Sequence, residues 1–124
     1  MKDSILKNKS KAFALRVIRL YKYLCDEKKE YILSKQLMRS GTSIGANIAE
    51  AFYGQNEADF ISKLSIAQKE TGETMYWLEL LHESDFLKHN EYDSIYNDAE
   101  ELIKLLTSSI KTVKEKITAS KLNH

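Results

Sequence analysis

The stretch from residue 36 to residue 54, QLMRSGTSIGANIAEAFYG, constrains the fold more than any other part of the chain. At helical spacing it presents three adjacent seams. The first seam is apolar and consists of Leu37, Ile44, Ile48 and Phe52. The second is made of small residues, Gly41, Gly45 and Ala49. The third is polar and consists of Gln36, Arg39, Ser43, Asn47 and Glu50. The stretch therefore predicts one helix with three distinct faces.

Two glycines in one helix cost about 1 kcal/mol each relative to alanine, so their benefit must lie in what approaches them. We expect close packing at Gly41, Gly45 and Ala49, first within the chain and second against a partner chain. A break in the helix is the third interpretation. A phosphate-binding loop is disfavoured because no strand precedes the glycines and no Gly-Lys-Ser/Thr follows them. Arg39 and Glu50 argue against a membrane dimer motif.

Composition limits the class of protein. The 124 residues include no proline, 43% apolar residues and 30% charged residues, which favours long helices in one water-exposed domain spanning residues 1–124. No apolar run is long enough to span a membrane, and the N-terminal stretch lacks the continuous apolar segment of a signal peptide. Cys25 is the single cysteine, so no internal disulfide is expected. We expect a cytoplasmic protein with no membrane association.

The apolar spacing predicts four helices, at about residues 10–25, 32–53, 57–84 and 91–118. Ser10 and Asn90 are expected to cap the first and fourth helices at their N-termini. Gly54 is expected as a left-handed C-terminal cap and Asn56 as the N-cap of the third helix, so that the second and third helices are antiparallel neighbours. The charged connection DEKKE, residues 26–30, is predicted to be exposed.

Four amphipathic helices with short connections and no strand pattern predict an all-α, antiparallel up-down-up-down four-helix bundle. If the reversal is centred near Gln55, Arg39 lies opposite Glu70 and Glu73. By the same register Asn47 lies opposite Lys63, and Glu50 lies opposite Phe60. We predict a half-buried polar network that fixes register or oligomeric state, and a ligand or partner groove is the alternative. Its members are Gln36, Arg39, Ser43, Asn47, Glu50, Glu70 and Glu73.

Catalytic and metal chemistry find little support in the sequence. Glu79 and His82 form one Glu-x-x-His motif, whereas di-iron bundles need two such motifs and two further inward glutamates. No nucleophile, base and orienting group stand at the spacing of a known catalytic motif. We expect no enzyme activity, no metal and no cofactor.

The net charge of +1 hides an uneven distribution. Residues 1–23 carry seven Lys/Arg against Asp3, residues 102–124 carry five lysines against Glu115, and residues 56–101 carry twelve acids against three lysines. In an up-down-up-down bundle the two basic ends meet at one pole, which predicts phosphate contacts, with a solvated surface as the alternative. The candidate nucleic-acid-binding residues are Lys7, Lys9, Lys11, Arg16, Lys111 and Lys114.

The sequences QLMRSGTSIGANIAEA and ADFISKLSIAQKETGETMYWLELL closely resemble the four-helix-bundle family of the 23S rRNA intervening-sequence protein. The resemblance is strong from Leu33 to Leu87 and weaker in the first and fourth helices. It implies a bacterial, cytoplasmic bundle without enzymatic activity. A related branch resembles the accessory protein of diversity-generating retroelements, a pentameric barrel that binds a reverse transcriptase and nucleic acid. That branch is strongly basic, and this chain is not.

Taken together, these features predict a non-catalytic protein that forms a homo-oligomer, with the pentamer implied by the resemblance. The expected interface includes the small-residue seam or the region of Trp77. RNA is the first partner that we expect. The alternative is a protein-interaction adaptor that uses the acidic face of the third helix to recruit a basic partner.

Overall fold

The computed structural model describes the backbone of residues 2–122 and the side chains of residues 5–122. Its four helices are α1 (Lys2–Asp26), α2 (Leu33–Phe52), α3 (Glu57–Glu83) and α4 (His89–Leu122), and no strand occurs in this range. Each helix packs against the next one along the chain, and α4 returns to α1. The predicted all-α, up-down-up-down bundle is therefore confirmed.

The bundle core follows the apolar seams of the four helices. On α3 the seam includes two threonines, Thr71 and Thr74, and both are fully buried. Their hydroxyls donate to the carbonyls of Ala67 and Glu70, each at 2.8 Å, so neither is left without a partner. The remaining buried positions of the seam are Leu64, Ala67, Leu78 and Leu81.

The small-residue seam of α2 faces α1. A Cβ built on Gly41 would lie 2.8 Å and 2.9 Å from the two γ carbons of Val17, closer than side chains normally approach. A Cβ on Gly45 would lie 3.5 Å from the carbonyl oxygen of Ser10. The absence of a side chain at Gly41 therefore lets α1 approach α2 closely within one chain, whereas a Cβ on Gly45 would make an ordinary van der Waals contact.

The first helix begins at Lys2, and the prediction that it starts at Ser10 is wrong. Ser10 is buried inside the helix, where its hydroxyl donates to the carbonyl of Lys7 at 3.1 Å. Leu6 and Phe13 are buried on the same face, because positions 6, 10 and 13 repeat at helical spacing. A small residue is needed at position 10 since it packs against Gly45.

The connection between α1 and α2 is not fully exposed, contrary to the prediction. Glu30 is only 8% exposed, and its carboxylate accepts the N–H groups of Ile32, Leu33 and Ser34 at 3.1, 2.9 and 2.7 Å. Burial alone would raise the pKa of the Glu30 carboxyl, but these three donors outweigh it and hold the pKa below its ordinary value. Glu30 thus caps the N-terminus of α2.

The turn between α2 and α3 differs from the prediction at Gly54 and agrees with it at Asn56. Gly54 does not adopt a left-handed conformation; instead a Cβ there would lie 3.2 Å from both the Ala51 carbonyl oxygen and the Asp59 Cβ, so the turn needs glycine for space. Asn56 does cap α3, accepting the N–H of Asp59 at 2.9 Å.

The fourth helix begins at His89, so Asn90 lies in its first turn and is not the cap. The N–H of Lys88, the residue before the helix, donates to the carboxylate of Glu91, the third residue of the helix, at 3.2 Å. This is one of the two hydrogen bonds of a capping box. The helix continues to Leu122, beyond the predicted end at residue 118. Asn123 and His124 lie outside the described residues.

Candidate nucleic-acid interface

The cations of α1 are already engaged by other parts of the bundle. Lys9 forms an ion pair with Glu101 of α4, with Nζ 2.8 Å from Oε1. Arg16 binds Asp98 at 2.7 Å and donates to the Ser94 hydroxyl at 2.6 Å. These two cations therefore fasten α1 to α4, and their charge is largely neutralised.

Lys7 and Lys11 turn to the opposite side of α1. The Lys7 Nζ lies 4.3 Å from the centroid of the Phe52 ring, a cation–π contact. Both lysines line a cavity of about 270 Å³ between α1 and α2, beside Ala46 and Ala49. They lie on a different face from Lys9 and Arg16 because positions 7 and 11 share one side of a helix and positions 9 and 16 share another.

Lys111 and Lys114 lie on a third face. They line a groove of about 600 Å³ between α3 and α4, together with Ile110, Thr118 and Leu122. The structure therefore does not gather the six predicted cations into one patch. The antiparallel bundle brings the helix ends together, but helical periodicity turns their side chains toward three different seams.

The lysines of α4 differ from Lys9 and Arg16 of α1 in one respect. Within the described residues, no carboxylate lies within 4.0 Å of their ammonium groups. Lys111, Lys114 and Thr118 follow one another at i, i+3 and i+7, which places them on one side of the helix. The complete set is Lys104, Lys111, Lys114, Lys116 and Lys121.

The predicted polar network lies closer to the surface than expected. Arg39 pairs with Glu73 and, at 3.4 Å, with Glu70, and the Trp77 indole N–H donates to Glu73 at 3.4 Å. The hydrogen bond to Glu73 is the main cause of a raised pKa at Arg39. The Arg39 side chain is 49% exposed, whereas the Glu70 and Glu73 side chains are 17% and 31% exposed, so the cation lies at the surface and the carboxylates are half-buried.

Among the other members of that set, Glu50 bridges the two helices, whereas Ser43, Asn47 and Gln36 do not. Ser43 donates to the Arg39 carbonyl at 2.6 Å, and Asn47 donates to the Ser43 carbonyl at 2.8 Å, both within α2. Gln36 is exposed and makes no side-chain hydrogen bond within the described part of the chain. Glu50 pairs with Lys63 at 3.2 Å, where the predicted register placed Asn47 opposite Lys63.

A buried bridge that the sequence reasoning missed joins α2 to α3. Ser40 and Thr74 are both fully buried, and their hydroxyl oxygens lie at hydrogen-bond distance, 2.8 Å apart. The signal available in the sequence was a small hydroxyl residue at an inward position of each helix, Ser40 on α2 and Thr74 on α3. The pairs 40–74 and 50–63 show that the register is shifted by three or four residues from one centred on Gln55.

An aromatic cluster between α3 and α4 consists of His82, Tyr92 and Tyr96. The His82 ring stacks on Tyr92 with centroids 4.2 Å apart, and the Tyr96 hydroxyl donates to Glu79 at 3.5 Å. Burial is the largest cause of the raised pKa at Tyr92 and at Tyr96, and neighbouring acidic groups add to it. No group of three or more His, Cys, Asp or Glu side chains is arranged to hold a metal within the described range.

None of the helices described here is long and apolar enough to cross a membrane. The family described as 23S rRNA-intervening sequence protein matches residues 2–108, so the match includes α1 and more than half of α4. A solved crystal structure of a protein with unknown function from the S23 ribosomal protein family, from Bacteroides thetaiotaomicron VPI-5482, is 56% identical. The similarity covers 90% of this chain and 99% of that one, with a TM-score of 0.89. No functionally curated protein matches the chain.

Proposed function

The chain belongs to the 23S rRNA-intervening sequence protein family, and from that premise we propose that it is a cytoplasmic, non-catalytic bundle that self-associates and binds RNA through α4. The observation that carries the RNA proposal is the set of α4 lysines without carboxylate partners within the described residues. Lysine is a common phosphate ligand, and a helix side bearing several of them follows a nucleic-acid backbone.

The helix dipole does not account for these lysines. Its favourable effect on cations is confined to the last turn of a helix, where only Lys121 lies. Lys111 and Lys114 stand two to three turns earlier, beside the groove between α3 and α4. The dipole of the helix end therefore does not explain them, which supports a role in binding an anionic partner.

The test is a titration with structured RNA at several salt concentrations. Charge reversal at Lys111 and Lys114 should weaken binding and lower the slope of log K against log salt by about one per lysine. The control is Lys35→Glu with Lys69→Glu, which makes the same change in net charge at two exposed positions on α2 and α3. Equal loss in both double variants would contradict a site on α4.

The proposal of self-association is supported by apolar side chains on the outer face of α3. Ile66 is 39% exposed and aligns with Trp77 three helical turns later. Tyr76 is 53% exposed and packs edge-on against Trp77, with ring centroids 5.2 Å apart. Aromatic residues are enriched in interface cores. The small-residue seam is already used by α1, so α3 is the better candidate.

A homopentamer is the assembly that we propose, and sedimentation velocity tests it. The sedimenting mass should be five times that of one chain, and Tyr76→Glu should lower it because a charge would be buried in the interface. Tyr31→Glu is the matched control, since Tyr31 is 51% exposed on the α1–α2 connection. A single-chain mass for the unmodified protein would contradict the proposal.

The adaptor function is the second candidate, and Glu57 and Asp59 favour it because both are exposed on the first turn of α3. Further along α3, Glu70 and Glu73 are paired with Arg39, and Glu79 accepts a hydrogen bond from Tyr96. The acidic face is therefore interrupted. Binding of a basic protein that survives charge reversal at Lys111 and Lys114, but not at Glu57 and Asp59, would favour the adaptor over the RNA-binding function.

A further inference from the structure

A small cleft lies at the end of the bundle where the α2–α3 turn meets α4. Its volume is about 230 Å³, below the roughly 300–1,000 Å³ typical of sites for drug-sized ligands, so it suits a single ring-sized group. Phe52 and Phe60 form one wall, with their rings in edge-to-face contact at 5.2 Å. Ser109 and Val113 of α4 form the other.

Cations accompany the aromatic wall. Lys116 is exposed and lines the cleft, and the Lys7 Nζ lies 4.3 Å from the centre of the Phe52 ring. Lys116 is also one of the α4 lysines without a carboxylate partner in the described residues. Stacking surfaces beside cations are the combination that holds single-stranded nucleic acids, because the rings take bases and the cations take phosphates.

We infer that this cleft receives one unpaired nucleobase of the RNA, with the adjoining phosphate held by Lys116 and Lys7. The inference rests on the proposed RNA-binding function and extends it by naming the preferred substrate as a loop or single-stranded end. A base in a continuous duplex is stacked on its neighbours and cannot enter the cleft. The half-buried Ser109 hydroxyl on the opposite wall can bond the edge of an inserted base.

Acidic residues near the cleft restrict the path of the RNA backbone. Glu57 and Asp59 occupy the first turn of α3 at the same end of the bundle and would repel phosphates. Lys111 and Lys114 lie five and two residues before Lys116 on α4, and helical periodicity turns them to another side of the helix. The strand that leaves the cleft therefore passes around α4, from the side of Lys116 to the side of Lys111 and Lys114.

The experiment compares two RNA probes by fluorescence anisotropy: a hairpin with an unpaired uridine loop and a continuous duplex of the same stem. Phe60→Leu removes the ring and keeps an apolar side chain, and Ser109→Leu fills the cleft from the other side. Both should weaken hairpin binding about tenfold and leave duplex binding unchanged. Neither should alter the salt slope, since neither removes a charge.

Tyr31→Leu is the matched control, because it removes an aromatic ring that is 51% exposed on the α1–α2 connection, at the opposite end of α2 from Phe52. Circular dichroism melting confirms that each variant folds, and the two cleft variants act from opposite walls. Equal affinity of the unmodified protein for both probes, or equal effects of Phe60→Leu and Ser109→Leu on both, would overturn the inference and leave phosphate binding intact. No binding of either RNA at low salt would overturn the proposed function as well.

Discussion

The first helix is held to its two neighbours by different means. Toward α2 it is held by shape: Val17 and Ser10 pack directly against Gly41 and Gly45. Toward α4 it is held largely by exposed ion pairs, Lys9 with Glu101 and Arg16 with Asp98. Two cavities of about 290 and 270 Å³ lie along this second seam, and one of about 270 Å³ lies along the first, beside Gly45.

This difference shows where the stability of the fold resides. Close packing in a buried seam is sensitive to single methyl groups. Exposed ion pairs contribute about 0–1 kcal/mol each and are screened by salt. The α1–α2 seam should therefore dominate the free energy of unfolding, whereas the α1–α4 seam should respond to ionic strength.

The largest effect is expected at the corner that joins α1 to α2. Glu30→Ala leaves the N–H groups of Ile32, Leu33 and Ser34 without their acceptor, so we expect a loss of about 1–3 kcal/mol in the free energy of unfolding. Urea denaturation measures it. Glu27→Ala is the control, because Glu27 is exposed one residue beyond the end of α1. Equal losses in both variants would rule out the cap.

The same carboxylate makes a pH-dependent contribution. Because the pKa of Glu30 is lowered in the folded protein, its contribution is fully present above the ordinary carboxyl pKa of about 4.3 and is lost as pH falls through the lowered value. Glu30→Gln keeps the shape and removes the titration. Urea midpoints measured between neutral pH and pH 3 should fall less in this variant, and parallel curves would contradict the assignment.

The next effect tests the shape-held seam directly. Gly41→Ala gains about 1 kcal/mol in helix propensity but places a Cβ against Val17, whose branched side chain moves little within a helix. Overpacking costs about 1–3 kcal/mol, so we expect a net loss of up to about 2 kcal/mol. Gly72→Ala is the control, since no atom lies within 4 Å of a Cβ built there.

Thermal unfolding distinguishes the two glycines, because Gly72→Ala should raise the melting temperature and Gly41→Ala should lower it. Adding Val17→Ala to Gly41→Ala should recover part of the loss, and the coupling between them measures the contact. A stabilising Gly41→Ala would show that α1 can move away at little cost, and the contrast between the two seams would then fail.

The sequence predicted much of this arrangement, and the failures have physical causes. Apolar spacing is sufficient to identify four helices and to pair α2 with α3. The inward turn of Glu30 depends on Lys29, which adopts φ 55°, and a lysine carries no sequence signal for that conformation. Nor does the sequence show that Arg39 remains half exposed, because exposure depends on the packing distance between two helices.

The candidate site shows the same limits. The lysines of α4 were in the prediction, but the sequence placed them in one patch with those of α1. The spacing of positions 7, 9, 11 and 16 already indicated two faces of α1. The sequence does not show which acidic residue of α4 pairs with which cation of α1, because that pairing depends on the register between two helices far apart in the chain. Predicting the cleft beside Phe52 and Phe60 would need the register of α4 as well.

A smaller effect is expected at the surface network between α2 and α3. Arg39→Ala leaves Glu70 and Glu73 without their cation, and if the pair were fully buried this would cost about 3–5 kcal/mol. With Arg39 49% exposed, we expect about 0.2–1 kcal/mol instead. Urea denaturation of Arg39→Ala beside Lys69→Ala, an exposed control on α3, decides between the two values. A loss above 3 kcal/mol would show that the network is buried in the assembled protein.

The smallest effect is expected on the charge-held seam. Arg16→Ala removes the contacts to Asp98 and Ser94, and we expect a loss of about 0.2–1 kcal/mol at low salt that shrinks as salt is added. Arg19→Ala is the control, because Arg19 is exposed beside the same cavities and has no ion-pair partner within the described residues. Urea denaturation at two salt concentrations gives both values. A loss that persists unchanged at high salt would mean that the Arg16 stem closes the seam by packing, and α1 would then be held by shape on both sides.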